Sequence, residues 1–152
     1  MLPGVPTLFG GLIKMQRYRP VPLPKIRVIT NTGDHLPQSY IASLRELFPQ
    51  ARIHPMYGLT ECKRVSILQP EEFEARPESV GRPLDGTQVF AIDEAGRRLP
   101  PGEIGELCVI GPHLAPGYWQ APEETAKRYP MLDGVRVLRS GDYGRVDAEG
   151  FL

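Results

Sequence analysis

The sequence predicts an α/β fold in two parts: an open-sheet piece containing a βαβ unit, then a mainly antiparallel β subdomain of the distorted-barrel kind. Three observations carry that prediction. Two strand-like runs, residues 26–30 and 51–53, flank the clearest helical pattern in the chain, residues 37–48. Beyond residue 77 the helical pattern gives way to closely spaced strands separated by an Asp-Glu-Ala-Gly turn and a Pro-Pro-Gly turn. Seventeen prolines and sixteen glycines in 152 residues require many turns and short elements, without the repetitive bias of a disordered tail. The expected organisation is an α/β subdomain over residues 1–77 and a mainly β subdomain over residues 78–152.

In order along the chain, Pro6 is a good first helical residue, and residues 7–15 place apolar side chains where one helix face can bury them. A proline-rich connector over residues 19–24 delivers the chain to Ile26-Arg27-Val28-Ile29-Thr30, a β-branched strand run. Asn31-Thr32-Gly33-Asp34 makes a turn. Tyr40, Ile41, Leu44, Leu47 and Phe48 then recur at helical spacing until Pro49 stops the pattern. Strand, helix and the next strand at 51–53 form a βαβ unit, whose crossover sets the two strands parallel. Further on, 65–68 reads as a short strand, 71–75 as a helical turn, 87–92 and 105–110 as strands, and 121–129 as a short helix. A strand at 135–139 ends in a turn at Ser140-Gly141-Asp142.

The composition narrows the function classes. Eighteen basic residues balance eighteen acidic ones, so no net field draws the chain to nucleic acid or anionic lipid. Cys62 and Cys108 lie far apart without metal-ligand spacing, which argues against a zinc site or a disulfide framework and fits a reducing cytoplasm. No basic leader precedes an apolar stretch, and no run approaches the roughly 18 apolar residues that span a bilayer.

The chemistry concentrates in Met56-Tyr57-Gly58-Leu59-Thr60-Glu61. An aromatic ring can stack on a base, Gly58 permits close backbone approach, the Thr60 hydroxyl can bond a phosphate oxygen, and Glu61 can hold a hard cation such as Mg²⁺. A plain turn leaving a strand uses the same residue types, so the stretch alone leaves both readings open. Topology adds to it: parallel strands put the loop at 32–36 and the stretch at 57–61 on one sheet edge, where open α/β sheets bind ligands.

Several further stretches agree in order and spacing: Gly33-Asp34-His35-Leu36, Ser79-Val80-Gly81-Arg82-Pro83, Gly105-Glu106-Leu107-Cys108-Val109-Ile110-Gly111, Gly117-Tyr118-Trp119 and Ser140-Gly141-Asp142-Tyr143-Gly144-Arg145. With Tyr57-Gly58-Leu59-Thr60-Glu61 they resemble the adenylate-forming superfamily of acyl-CoA synthetases, peptide-synthetase adenylation domains and luciferases, over nearly the whole chain. The resemblance implies AMP-forming ligation, in which a carboxylic acid is activated by ATP with Mg²⁺ and passed to a thiol of coenzyme A or phosphopantetheine. It implies that Tyr57 and Gly58 face adenine and that Thr60 bonds the α-phosphate. Glu61 is implied as the metal ligand, and Asp142 as the acceptor for the ribose hydroxyls. Gly33, Asp34 and His35 resemble the loop lining the adenine and acyl pocket, although the family more often has small residues at the last two. His54, Cys62 and His113 match no family role.

Two elements of the family pattern have no counterpart: the glycine-, serine- and threonine-rich phosphate loop, and the carboxy-terminal domain with its lysine. The chain thus resembles the later half of the large amino-terminal domain. It is expected to need those segments as partners from the same or another chain, to be inactive alone, and to self-associate through uncovered apolar surface. The alternative is a non-catalytic nucleotide-binding or assembly module. Leucine at position 59 leans toward acyl-CoA synthetases, since peptide-synthetase domains more often have proline there.

Overall fold

The computed structural model describes residues 1–152. The chain forms two compact units, Met1–Tyr57 with Ile67–Gly81, and Gly58–Ser66 with Arg82–Leu152. No helix is long and apolar enough to cross a membrane.

The first unit contains, in order, β1 (Leu2–Gly4), α1 (Pro6–Tyr18), β2 (Val28–Asn31), α2 (Gln38–Leu47) and β3 (Arg52–Tyr57). β2 and β3 are parallel neighbours, with Val28 opposite Arg52 and Asn31 opposite Pro55, as the βαβ pattern predicts. β1 has no counterpart in the sequence reading. Three residues that include Pro3 and Gly4 show no strand signature, yet they pair parallel to β2 at the sheet edge, where a missing N–H is tolerated. β3 runs four residues past its expected end at Ile53, through Pro55. That proline has no N–H to give, but its carbonyl accepts from the Leu68 N–H at 2.9 Å, just after β4 (Ser66–Ile67).

Pro6 opens α1 as expected. At its far end the buried Gln16 amide donates to the Val21 carbonyl at 2.8 Å and accepts from the Val21 N–H at 2.7 Å, which pins the proline-rich connector. α1 and α2 approach closely because position 10 is glycine: a Cβ there would meet the Tyr40 hydroxyl at 2.8 Å. Arg17 adds a bond to the Ser43 hydroxyl at 3.0 Å. Phe9, Ile29, Leu44 and Leu68 are fully buried, each burial contributing about 1.5–3 kcal/mol.

The second unit adds β5 (Arg82–Pro83), β6 (Gln88–Ile92), β7 (Gly105–Ile110), α3 (Pro122–Arg128), β8 (Met131–Leu132), β9 (Val135–Arg136) and β10 (Leu138–Gly144). Its main sheet is antiparallel in the order β10-β7-β6, open rather than closed into a barrel. Ile92, Cys108 and Val137 centre its core, with Phe90, Ile110 and Leu132 against them.

The strand expected at 135–139 is divided in two. Asp133 and Gly134 both take positive φ and turn β8 into β9, a two-residue hairpin loop. β10 continues through the turn expected at Ser140-Gly141-Asp142. The ladder shifts register between Arg139 and Tyr143 with Gly141 at φ +76°, so the feature is a bulge within a strand.

Both cysteines are buried and unpaired. Burial raises both thiol pKa values, that of Cys108 to about 11. At neutral pH both are therefore protonated, and Cys62 lacks the thiolate character of a nucleophile. Native protein is expected to resist a thiol reagent such as Ellman's and to label at both cysteines once unfolded. Rapid labelling of either in the native state would contradict the packing.

Candidate functional site

In the first unit the loop at 32–36 leaves the carboxyl end of β2, and Tyr57 ends the adjacent parallel strand β3. Gly33 takes φ +87°, a conformation that favours glycine. The buried Asn31 side chain donates to the Asp34 carbonyl at 2.8 Å, while its own oxygen has no protein partner. The Asp34 carboxylate accepts from the His35 N–H at 2.7 Å, closing the loop on itself. Asp34 and His35 are exposed, and Tyr57 is half-buried.

The second unit receives the chain at Gly58, whose role is internal. A Cβ there would lie 1.8 Å from the Lys63 carbonyl oxygen, so the residue allows a tight turn to close against itself. Lys63 takes φ +59°, and the Cys62 N–H donates to the Leu59 carbonyl at 3.2 Å. That turn leaves Thr60 exposed and Glu61 mostly covered.

Glu61 is held at both ends. Its backbone carbonyl accepts from the Ala115 N–H at 2.7 Å and the Tyr129 hydroxyl at 3.4 Å. Its carboxylate Oε1 accepts from the Tyr118 hydroxyl at 2.5 Å, and Arg128 Nη2 stands 3.5 Å away. The Tyr118 bond is the largest influence holding the Glu61 pKa below the usual carboxylate range; burial opposes it, and Arg128 assists. The same bond pushes the Tyr118 phenol up. Glu61 is therefore ionised and Tyr118 protonated at neutral pH.

Tyr118 is positioned by α3. Its N–H donates to Thr125 Oγ1 at 2.9 Å, and that hydroxyl donates to the Ala121 carbonyl at 2.8 Å. Gly117 makes the approach possible, since a Cβ there would meet Thr125 Cγ2 at 2.5 Å. Arg136 lies over the Tyr129 ring at 4.2 Å and donates to the Ala115 and Pro116 carbonyls at 2.9 and 3.0 Å.

Asp142 sits on the bulge of β10, and that bulge is also fixed. Ser140 Oγ accepts from the Asp142 N–H at 3.0 Å, and Glu106 Oε1 accepts from the Gly141 N–H at 3.1 Å. The other oxygen of Glu106 is taken by Arg139, through Nε at 2.9 Å and through Nη2. A cavity of about 420 Å³ lies here, lined by Glu61, Glu106, Tyr118, Lys127, Arg128 and Arg139 among others.

No group of three or more His, Cys, Asp or Glu side chains is arranged to hold a metal unaided. Glu61 offers a single carboxylate with one oxygen engaged by Tyr118. That donor set fits Mg²⁺, which keeps waters and takes its remaining ligands from substrate phosphates, and it does not suit a metal needing a complete protein cage.

The structure thus places Gly33, Asp34, His35 and Tyr57 at neighbouring strand ends of the first unit. Gly58, Thr60, Glu61 and Asp142 lie in the second, where Glu61 and the bulge carrying Asp142 flank Arg128. Tyr118, Arg128 and Glu106 enter the site without a role assigned from sequence. Gly117-Tyr118 and Glu106 lie within recognisable motifs, but nothing local indicates that they grip residues far away in the chain.

The arrangement has known relatives. A sequence-family profile described as "AMP-binding enzyme" matches residues 1–119. The chain is 34% identical over 136 residues to D-alanine–D-alanyl carrier protein ligase of Lactiplantibacillus plantarum, covering 86% of this chain and 26% of that protein. Among solved structures it is similar to VinN, with 49% identity and a TM-score of 0.89 over 99% of this chain and 38% of the other. VinN has also been solved in complex with L-aspartate. O-succinylbenzoate coenzyme A synthetase of Bacillus subtilis, solved with ATP and magnesium ion, matches at 27% identity and a TM-score of 0.79, over 98% of this chain and 30% of that one. The chain spans about a quarter of the length of the carrier-protein ligase and 4% of tyrocidine synthase 2 of Brevibacillus parabrevis. With the profile matched over residues 1–119 of 152, this chain belongs to the AMP-binding enzyme family.

Proposed function

We propose that this chain supplies the adenosine- and magnesium-facing part of an ATP-dependent, AMP-forming carboxylate ligase. In that reaction a carboxylate oxygen attacks the α-phosphorus of ATP, the bond to pyrophosphate breaks, and the resulting acyl-adenylate is taken by a thiol as AMP leaves. The observation that carries the reading is the pinned pair in the second unit: the Glu61 carboxylate, oriented by Tyr118, and the Glu106-anchored bulge presenting Asp142, on either side of one guanidinium.

Each residue then has a task. Asp142 accepts hydrogen bonds from the ribose hydroxyls with two oxygens on the fixed bulge of β10. Thr60, exposed beside Glu61, donates its hydroxyl to a phosphate oxygen. Glu61 holds the cation, which when bound neutralises phosphate charge and favours departure of pyrophosphate. Tyr57 stacks on adenine, and Gly33, Asp34 and His35 stand at the neighbouring strand end of the same unit. The solved complex of the Bacillus subtilis relative with ATP and magnesium supports the nucleotide and the metal. The L-aspartate complex of VinN, 46% identical to this chain, supports an acid of the amino-dicarboxylate class. The names of a carrier-protein ligase and a coenzyme A synthetase among the relatives support an acceptor thiol of coenzyme A or of a carrier protein's phosphopantetheine.

The test is carboxylate-dependent pyrophosphate release by the full-length protein across a panel of acids that includes aspartate, together with AMP titration. Asp142→Ala removes charge-assisted hydrogen bonds worth roughly 1.5–3 kcal/mol, so AMP affinity is expected to fall about tenfold to a hundredfold. An AMP affinity indifferent to that change would remove Asp142 from the site. Binding of AMP without turnover on any acid would favour a non-catalytic nucleotide-binding module. The 152 residues alone are expected to bind AMP and not to turn over.

A further inference from the structure

We propose that Arg128 is a phosphate ligand of this site, a guanidinium that contacts the α-phosphate of a nucleotide whose ribose is seated on Asp142. The inference rests on the proposed roles of Glu61 and Asp142 and adds a residue that neither sequence motif contains.

Three features of Arg128 lead to it. Its Nη2 is 3.5 Å from Glu61 Oε1, at the outer edge of hydrogen-bonding reach, while Tyr118 takes the same oxygen at 2.5 Å. Its Nη1 faces the other side, where a Cβ on Gly141 would lie only 3.0 Å away. Its Nε is buried and has no hydrogen-bond partner in the protein. The guanidinium is thus about three-quarters covered, a planar fork of donors with no full-strength acceptor.

The other charges around the cavity are accounted for. Arg139 is committed to Glu106, and Glu106 is neutralised by it while anchoring the Gly141 N–H. Lys127 and Glu124 are on the exposed part of α3. Arg128 is therefore the cation positioned for a ligand.

Covalent connectivity says which part of the ligand it meets. The α-phosphate joins the ribose to the β-phosphate. In a nucleotide with ribose hydroxyls on Asp142 and its phosphate-bound cation on Glu61, the α-phosphate must lie in the interval between them. Arg128 occupies the interval between Gly141, next to Asp142, and Glu61. A planar guanidinium matches phosphate oxygens in paired fashion, and a phosphate supplies the strong acceptor that Glu61 at 3.5 Å does not. Glycine at position 141 keeps the gap open.

The experiment compares AMP with adenosine, which differ by the phosphate alone, by calorimetry on the full-length protein and its Arg128→Gln and Arg128→Lys variants. Arg128→Gln is expected to weaken AMP about tenfold to a hundredfold and to leave adenosine within about twofold, with Arg128→Lys between. Retained adenosine binding shows that each variant is folded, and the ³¹P shift of bound AMP should change in both. An unchanged ratio of AMP to adenosine affinity in Arg128→Gln would overturn the proposal, as would a parallel loss of both ligands, which marks a purely structural role. If the parent protein binds neither ligand, the ligase reading falls first and this inference with it. Sensitivity of AMP to Arg128 without sensitivity to Asp142→Ala would sink the ribose assignment and leave the phosphate contact standing.

Discussion

Glu61→Gln in the full-length protein is expected to cut acyl-adenylate formation by about 10²- to 10³-fold, while adenosine binding stays near wild type. The amide keeps the size of the side chain and an oxygen that can accept from Tyr118 at the present 2.5 Å, so the local structure survives. What goes is the negative charge that holds the cation and balances Arg128. Loss of one preorganised electrostatic contact to developing phosphate charge typically costs about 3–4 kcal/mol of transition-state stabilisation, which is the basis of the factor given. Steady-state pyrophosphate release at several magnesium concentrations checks it, and the apparent magnesium requirement should rise. Turnover within a fewfold of wild type would show that the metal is held elsewhere.

Gly81→Ala is expected to destabilise the first unit by about 2–6 kcal/mol, a large share of the roughly 5–15 kcal/mol that holds ordinary domains together. Gly81 takes φ +88°, where a side chain strains the backbone by about 1–3 kcal/mol. A Cβ there would also meet the carbonyl carbon and oxygen of Ile67 at 2.0 Å and the Leu68 nitrogen at 2.2 Å. All are backbone atoms that no rotamer change can move aside, so overpacking adds about 1–3 kcal/mol more. Gly86→Ala is the matched control, since Gly86 takes φ +77° with open space around it. Urea denaturation of both variants separates the two contributions. Equal losses at the two positions would mean that close approach at Gly81 contributes nothing.

Motifs and periodicity carried much of this architecture. α2 lies within one or two residues of its expected ends because Tyr40, Ile41, Leu44, Leu47 and Phe48 recur at helical spacing and Pro49 follows. The parallel pairing of β2 and β3 follows from the helix between them. Short elements were less legible. β1 consists of three residues held by pairing with β2, and two-residue strands such as β8 and β9 have too few positions to show alternation. The Asp133-Gly134 turn was a missed signal, since Asp-Gly is a strong short hairpin cue. Pro55 hid the length of β3, because a proline is normally read as the end of a strand.

The candidate site divides along the same line. Which residue types could meet a nucleotide is legible from residue identity, because an aromatic, a glycine, a hydroxyl and a carboxylate in one short stretch carry their chemistry wherever they are placed. βαβ connectivity also brings the loop carrying Gly33 and the stretch that begins at Tyr57 out at one sheet edge, since it leaves little freedom; that Tyr57 itself ends β3 came only from the fold. Folding in three dimensions sets Glu61 against Tyr118 and Arg128, and anchors the Asp142 bulge through Glu106. It likewise decided that the close approach permitted by Gly58 is to Lys63. The contacts of Glu61 with Tyr118 and Arg128, and of Glu106 with Gly141, join residues separated by whole elements, and the backbone carbonyl of Glu61 is itself bonded to Ala115 and Tyr129. Local periodicity is blind to such pairings: the energy of a hydrogen bond depends on distance and direction in space, which chain position alone does not encode.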